Sequence, residues 1–246
     1  MRITLGLAAS FLAASAPGLC LAAPVEPWSG ELNAGYVATS GNSDSRTANG
    51  KVELVYTGAI WRNTLAATAI QSSQTSQATG VEEISAERYA VGDKADFNFT
   101  ERNYAFLALE FEKDLVGPVR ERTSETVGYG RKVLTGPEHL LELEIGGGAR
   151  QTEEQFTGIK ASDAIGRGRF AYRWNFTETS HFGETVKAES GKSNTFVESV
   201  TELKLSLVGK LFAVASYTLR QNSDVPVGAK KTDTITTFSL GWSFGK

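Results

Sequence analysis

Residues 203–220, LKLSLVGKLFAVASYTLR, alternate apolar and polar side chains, pause at Val208-Gly209-Lys210, and alternate again. In an extended chain, a two-residue period places Leu203, Leu205 and Leu207 on one face with Leu211, Ala213, Ala215, Tyr217 and Leu219 of the returning strand. Glu202, Lys204 and Arg220 fall on the other face. The same period recurs along most of the chain. It sets Trp28, Leu32, Ala34, Tyr36 and Ala38 against Glu31 and Asn33, and Leu107, Leu109 and Phe111 against Glu110 and Glu112. Further on, Leu141, Leu143, Ile145 and Ala149 oppose Glu142, Glu144 and Arg150, and Phe170, Tyr172, Trp174 and Phe176 oppose Arg167, Arg169 and Arg173. The last segment sets Phe238, Leu240, Trp242 and Phe244 against Ser239, Gly241 and Ser243. Helical periodicity is hard to find, so the reading is all-β.

The connections alternate as well. Six polar loops (TSGNSDS, SQTSQATG, LVGPVRE, TEEQFTGIKASD, ESGKSN and NSDVPVGAKKTD) interleave with tight links near Gly58, Thr100, Gly136, Thr177 and Gly209, which predicts twelve strands. Strands in a soluble sandwich usually run about 5 to 6 residues, whereas these segments run about 10 to 16. A membrane barrel needs strands of about 9 to 11 residues, an apolar outer face, a polar interior, and short turns alternating with longer loops. The pattern therefore predicts an antiparallel transmembrane outer-membrane β-barrel of about twelve strands with both termini in the periplasm. Closure leaves no unpaired strand edge in hydrocarbon. On this reading the leucines face lipid, and Trp28, Trp61, Phe99, Tyr104, Trp174, Phe176, Trp242 and Phe244 form an interfacial girdle.

The first 22 residues, with Arg2, an apolar run from Ile3 to Ala16 and small residues at Ala22 and Ala23, read as a cleavable signal peptide. Residues 23–27 form a short amino-terminal segment and 28–246 the barrel. Cys20 falls within the signal, and Leu19 before it is too bulky for a lipoprotein signal, so the mature chain is expected to carry no thiol and no lipid anchor. No later stretch approaches the roughly 18 apolar residues of a membrane helix. The 25 basic and 28 acidic residues are spread evenly, which argues against nucleic acid as a partner. The expected partners are outer-membrane lipid and lipopolysaccharide, together with the barrel-assembly machinery, which would read the strand ending at Phe244. No face is reserved for a second copy, so a monomer is expected.

Trp28-Ser29-Gly30, followed by GYVATSGNSDSRT at 35–47, resembles the aromatic, glycine and TSGN signature of the putative salt-induced outer membrane proteins, a family classed as a domain of unknown function. RNYAFLALEFEKD and the closing LGWSF are similar to the same family, and the likeness covers the mature chain. The resemblance implies a bacterial outer-membrane barrel associated with osmotic stress, with no ligand or catalytic residues to carry over. One departure is that Phe244 is followed by Gly245 and Lys246, where such barrels typically end on the aromatic.

Few residues suggest chemistry. His139 and His181 lie beside short turns, where an interfacial role is a better reading than a metal pair or general base. Gly146-Gly147-Gly148 lacks the lysine and helix of a phosphate cradle and reads as room for bending or close approach. Asn42 and Asp44 have oxygen ligands at alternate positions, but a polar turn at Gly41-Asn42 explains them equally well. No enzyme, cofactor or metal is expected.

The interior charges are the informative set: Glu31, Lys51, Glu53, Arg62, Arg88, Lys94, Asp96, Glu110, Glu112, Glu142, Glu144, Arg150, Arg167, Arg169, Arg173, Glu198, Glu202, Lys204 and Arg220. A hairpin near Phe156 would set Glu144 opposite Arg167 or Arg169, and one near Gly209 would set Glu198 opposite Arg220; such cross-strand pairs attract. Two functions follow. The ladder of charges either fills a non-conducting barrel that acts through its surface loops, or walls a narrow channel for small hydrophilic or charged solutes. The candidate lining residues are Glu110, Glu112, Glu142, Glu144, Arg167, Arg169, Arg173, Glu198, Glu202, Lys204 and Arg220.

Overall fold

The computed structural model describes residues 27–39, 44–76 and 79–245. The signal segment with Cys20, Asn42 of the TSGN loop, and Lys246 lie outside them. Twelve strands follow one another: β1 (Trp28–Thr39), β2 (Ser45–Thr57), β3 (Trp61–Thr75), β4 (Glu82–Asn98), β5 (Asn103–Asp114), β6 (Val119–Thr135), β7 (His139–Glu154), β8 (Lys160–Asn175), β9 (His181–Gly191), β10 (Thr195–Val208), β11 (Leu211–Asn222) and β12 (Thr232–Phe244). Each pairs antiparallel with its sequence neighbours, and β1 pairs with β12, from Gly30 opposite Phe244 to Ala34 opposite Leu240, to close the ring.

The alternation sorts the side chains as the sequence predicts. Leu65, Val91, Leu107, Leu109, Val127, Leu143, Ile145, Leu203, Leu205 and Leu240 stand exposed on the outer wall, Ile145 at 70%. A closed ring with this many bare aliphatic groups outside and charge inside is a membrane-spanning arrangement, since water would not tolerate so large an apolar surface. Aromatics gather where the short turns lie. Trp28 packs on Tyr56 with centroids 5.1 Å apart, Trp61 on Phe97 at 5.0 Å, and Trp174 on Phe176 at 5.8 Å.

Tyr104 departs from the predicted girdle. It is 0% exposed and lies inside the barrel with Phe106 and Ala108. Its parity on β5 is that of Glu110 and Glu112, so register overrides the interfacial preference of a tyrosine. Glycines make room for these inward rings. A Cβ on Gly130 would lie 2.2 Å from the Tyr104 ring, one on Gly146 3.1 Å from Phe106, and one on Gly241 2.4 Å from the inward ring of Phe212. On Gly148 a Cβ would sit 1.8 Å from the carbonyl oxygen of Glu125. The Gly146–Gly148 run thus serves close packing between β6, β7 and the interior.

The contrast between loops and turns is smaller than the sequence suggests. LVGPVRE contributes only 115–118 to a loop, because β6 begins at Val119, and ESGKSN contributes only 192–194. Polar residues there prolong the strands instead, so β4 and β6 reach 17 residues each.

Candidate functional site

All of the candidate charged residues take inward parity, and hairpin register decides which of them meet. Glu144 pairs across the β7–β8 ladder with Arg169, and Glu198 across β10–β11 with Arg220. Both follow from folding back at the turn positions read in the sequence.

Closure then brings together residues that no hairpin relates. β5 and β11 stand six strands apart in either direction around the ring, on opposite walls. Arg220 of β11 nonetheless donates to the Glu112 carboxylate of β5, as well as to Glu198 Oε2 at 3.1 Å, and lies 3.5 Å from Asp114. Arg122 of β6 donates to Asn222 Oδ1 of β11 at 3.1 Å, and Arg88 of β4 approaches Glu198 of β10 at 3.7 Å. These contacts form a lattice across the lumen near the end that carries the longer loops. Deeper in, Lys187 donates to Glu110 at 2.5 Å, and Arg167 lies 3.3 Å from the same carboxylate while donating to Thr126 Oγ1 at 2.8 Å.

Toward the short-turn end the β3–β8 side is filled. Arg62 bridges Asp96 at 2.8 Å and Glu142 at 3.2 Å. Lys94 bridges Asp96 at 2.6 Å and Glu144 at 2.7 Å. Glu144 also takes a hydrogen bond from the Tyr104 hydroxyl at 2.9 Å and an ion pair from Arg169 at 3.2 Å. Opposite this cluster, Lys204 donates to Glu31 and lies 3.9 Å over the Phe212 ring, while Glu202 stands 3.9 Å from both Lys51 and His181. Desolvating so many charges is costly, and mutual pairing offsets that cost only where geometry is good. Here Asp96, Glu110, Glu112, Glu142, Glu144 and Glu198 each have two or more cationic neighbours.

Arg173 differs from the other candidates. It has inward parity but is exposed at the short-turn end, and among the described residues its side chain makes no ion pair or hydrogen bond. The two histidines do not meet. His139 is on the outer face with Nδ1 2.8 Å from the Tyr172 hydroxyl, whereas His181 faces the lumen near Glu202. The wall between them excludes a shared metal ion, and no group of three or more metal-ligating side chains occurs among the described residues.

Several interior residues escape a reading by alternation. Arg122, stacked 3.7 Å over Phe196, sits in VRERTSET, where both faces are polar and parity has no apolar partner to mark it. Lys187 and Glu189 belong to the weakly apolar β9, where the outward face itself carries Glu184, held by the hydroxyls of Ser199 at 2.6 Å and Thr201 at 2.5 Å. Their shared parity with Gly183 and Thr185 was the available signal.

The lattice leaves space beside it. A cavity of about 360 Å³ runs along the β1–β3 and β10–β12 walls, where inward side chains are small: Asn33, Ala66, Thr68, Ser216, Thr237 and Ser239. Arg88, Arg122, Lys187 and Lys51 line it together with Glu110, Glu112, Glu198 and Glu202.

A closed antiparallel ring of twelve strands, aliphatic outside and charged inside, defines a porin-like β-barrel of the outer-membrane type. Among solved structures the chain is similar to the NanC porin, with a TM-score of 0.50 at 10% identity over 88% of this chain and 98% of that one. It also aligns with the translocator domain of the autotransporter NalP from Neisseria meningitidis, with a TM-score of 0.44 at 10% identity over 88% and 87% of the two chains. At such identity the likeness is one of fold. The chain belongs to the family described as Protein of unknown function, DUF481, whose model matches residues 32–244. It is 31% identical over 224 residues to the uncharacterized protein YdiY of Escherichia coli (strain K12), covering 89% of this chain and 84% of that protein.

Proposed function

We propose that this protein is a narrow channel of the bacterial outer membrane for small hydrophilic or charged solutes, constricted by the Arg220–Glu112 lattice. The observation that supports this reading is the cavity beside the lattice, lined by charged groups of both signs and by small residues where bulky ones would have filled the barrel. Barrels of about 8 strands are filled by side chains and those of 16 or more leave a channel; this one combines a packed half with an open half. Facing charges of opposite sign set up a transverse field that orients polar solutes as they pass. The family resemblance of the TSGN segment adds osmotic stress as the setting in which such a channel would act.

A second reading, a non-conducting barrel working through its loops, draws on the crossing of the lumen by Arg220 and Arg122. Single-channel recording of the refolded barrel in a planar bilayer separates the two. The channel reading expects small stepwise currents that grow in the Arg220→Gln/Glu112→Gln double variant, where the crossing charge pair is gone. A folded barrel that stays silent in both forms supports the second reading.

A further inference from the structure

We propose that the lumenal cavity binds small zwitterions, molecules with a carboxylate and an ammonium group on one short carbon chain. The inference rests on the channel reading and names its solute class. Arg88 and Arg122 line the cavity with their guanidinium side chains. The nearest carboxylates stand off beyond hydrogen-bond reach, Glu198 and Glu112 at 3.7 and 3.9 Å from Arg88, and Glu112 at 4.0 Å from Arg122. A guanidinium fork held this loosely by its neighbours suits a further carboxylate.

The cavity also has an anionic pole. Glu202 lines it four residues further along β10 than Glu198, toward the short-turn end, with Lys51 Nζ and His181 Nε2 both 3.9 Å away. Four strand residues span roughly 13 Å, so the arginine pole and the Glu202 pole are separated along the lumen. Phe196, Val200 and Val214 lie on the wall of the same cavity and offer apolar contact to methylene groups. A simple anion entering here meets four carboxylates as well as four cations, and a simple cation meets the same obstacle reversed. A molecule with both charges, held apart by a short chain, satisfies both poles at once.

The test uses 6-aminohexanoate beside two isosteres that each lack one charge, 6-hydroxyhexanoate and 6-aminohexan-1-ol, added to the refolded full barrel in a planar bilayer. The expected result is a saturable fall in open-channel current, with 6-aminohexanoate effective at a tenfold lower concentration than either isostere and Arg88→Gln removing the difference. A conducting channel on which the three compounds act equally, or not at all, overturns the inference while leaving the channel intact. If the barrel carries no current, the channel reading fails, and ligand-observed NMR on the refolded barrel in micelles decides the site separately. Preferential binding of the zwitterion upholds it, and equal or absent binding overturns it. Should Arg88→Gln not refold, judged by heat-modifiable migration, Glu202→Gln serves at the opposite pole with the same expected loss.

Discussion

Replacing Glu112 by glutamine tests whether the lattice is an interdependent network or a set of independent surface-like pairs. Glu112 accepts from Arg220 and lies 3.9 and 4.0 Å from Arg88 and Arg122, so its neutralisation leaves three guanidinium groups in a confined volume with Glu198 and Asp114 among the remaining local anions. Breaking a buried pair by removing one partner costs about 3 to 5 kcal/mol, mostly through the charge left behind. Glu112→Gln is expected in this range. Arg220→Gln should cost about as much, since it frees Glu112, Glu198 and Asp114 together. The double variant removes charge of both signs and is expected to cost less than the sum of the singles by about 1 to 3 kcal/mol, the usual coupling of residues in one network. Equilibrium urea unfolding of the barrel refolded in lipid vesicles reads these values through fluorescence of the four tryptophans, Trp28, Trp61, Trp174 and Trp242, all of which lie on the outer wall. Single variants that cost less than about 1 kcal/mol, or a double variant that is simply additive, would show that the charges are solvated separately and that no lattice crosses the lumen.

Gly130→Ala drives a Cβ to 2.2 Å from the Tyr104 ring and should destabilise by about 1 to 3 kcal/mol. Gly168→Ala points into open space on the outer wall and should change stability by less than about 0.5 kcal/mol; equal effects in the same urea assay would refute the inward placement of Tyr104. Tyr104→Phe removes the hydroxyl that donates to Glu144 and should cost about 1.5 to 3 kcal/mol, as expected for a hydrogen bond to a charged group, with no loss if that hydroxyl faces lipid headgroups instead. On the outer wall Asp93 pairs across the ladders with Leu65 and Leu109, so Asp93→Leu should raise stability by about 1 to 2 kcal/mol. A lowered urea midpoint for that variant would place Asp93 on the interior.

Much of the barrel was legible because a two-residue period can be read without knowing the fold. The number of strands, the outward leucines and the opposition of Glu198 to Arg220 all follow from local alternation and the place of a turn. Tyr104 was misread where its residue type, favoured at interfaces, was weighed above its parity with Glu110, and the structure shows parity deciding. Arg122, Lys187 and Glu189 were missed because β6 and β9 carry polar residues on both faces, so alternation there had no contrast to display.

What the sequence determined by itself is therefore the strands, their faces and the pairing of neighbours, since each depends on residues only a few positions or one hairpin apart. The tertiary structure alone decided what meets across the lumen. Arg220 and Glu112 lie 108 residues apart on strands with no shared ladder, and only the closure of β1 on β12 puts their walls face to face at the distance two long side chains can span. The division of the interior into a packed half and an open half has the same origin, because the size of an inward side chain matters only once the opposite wall is fixed.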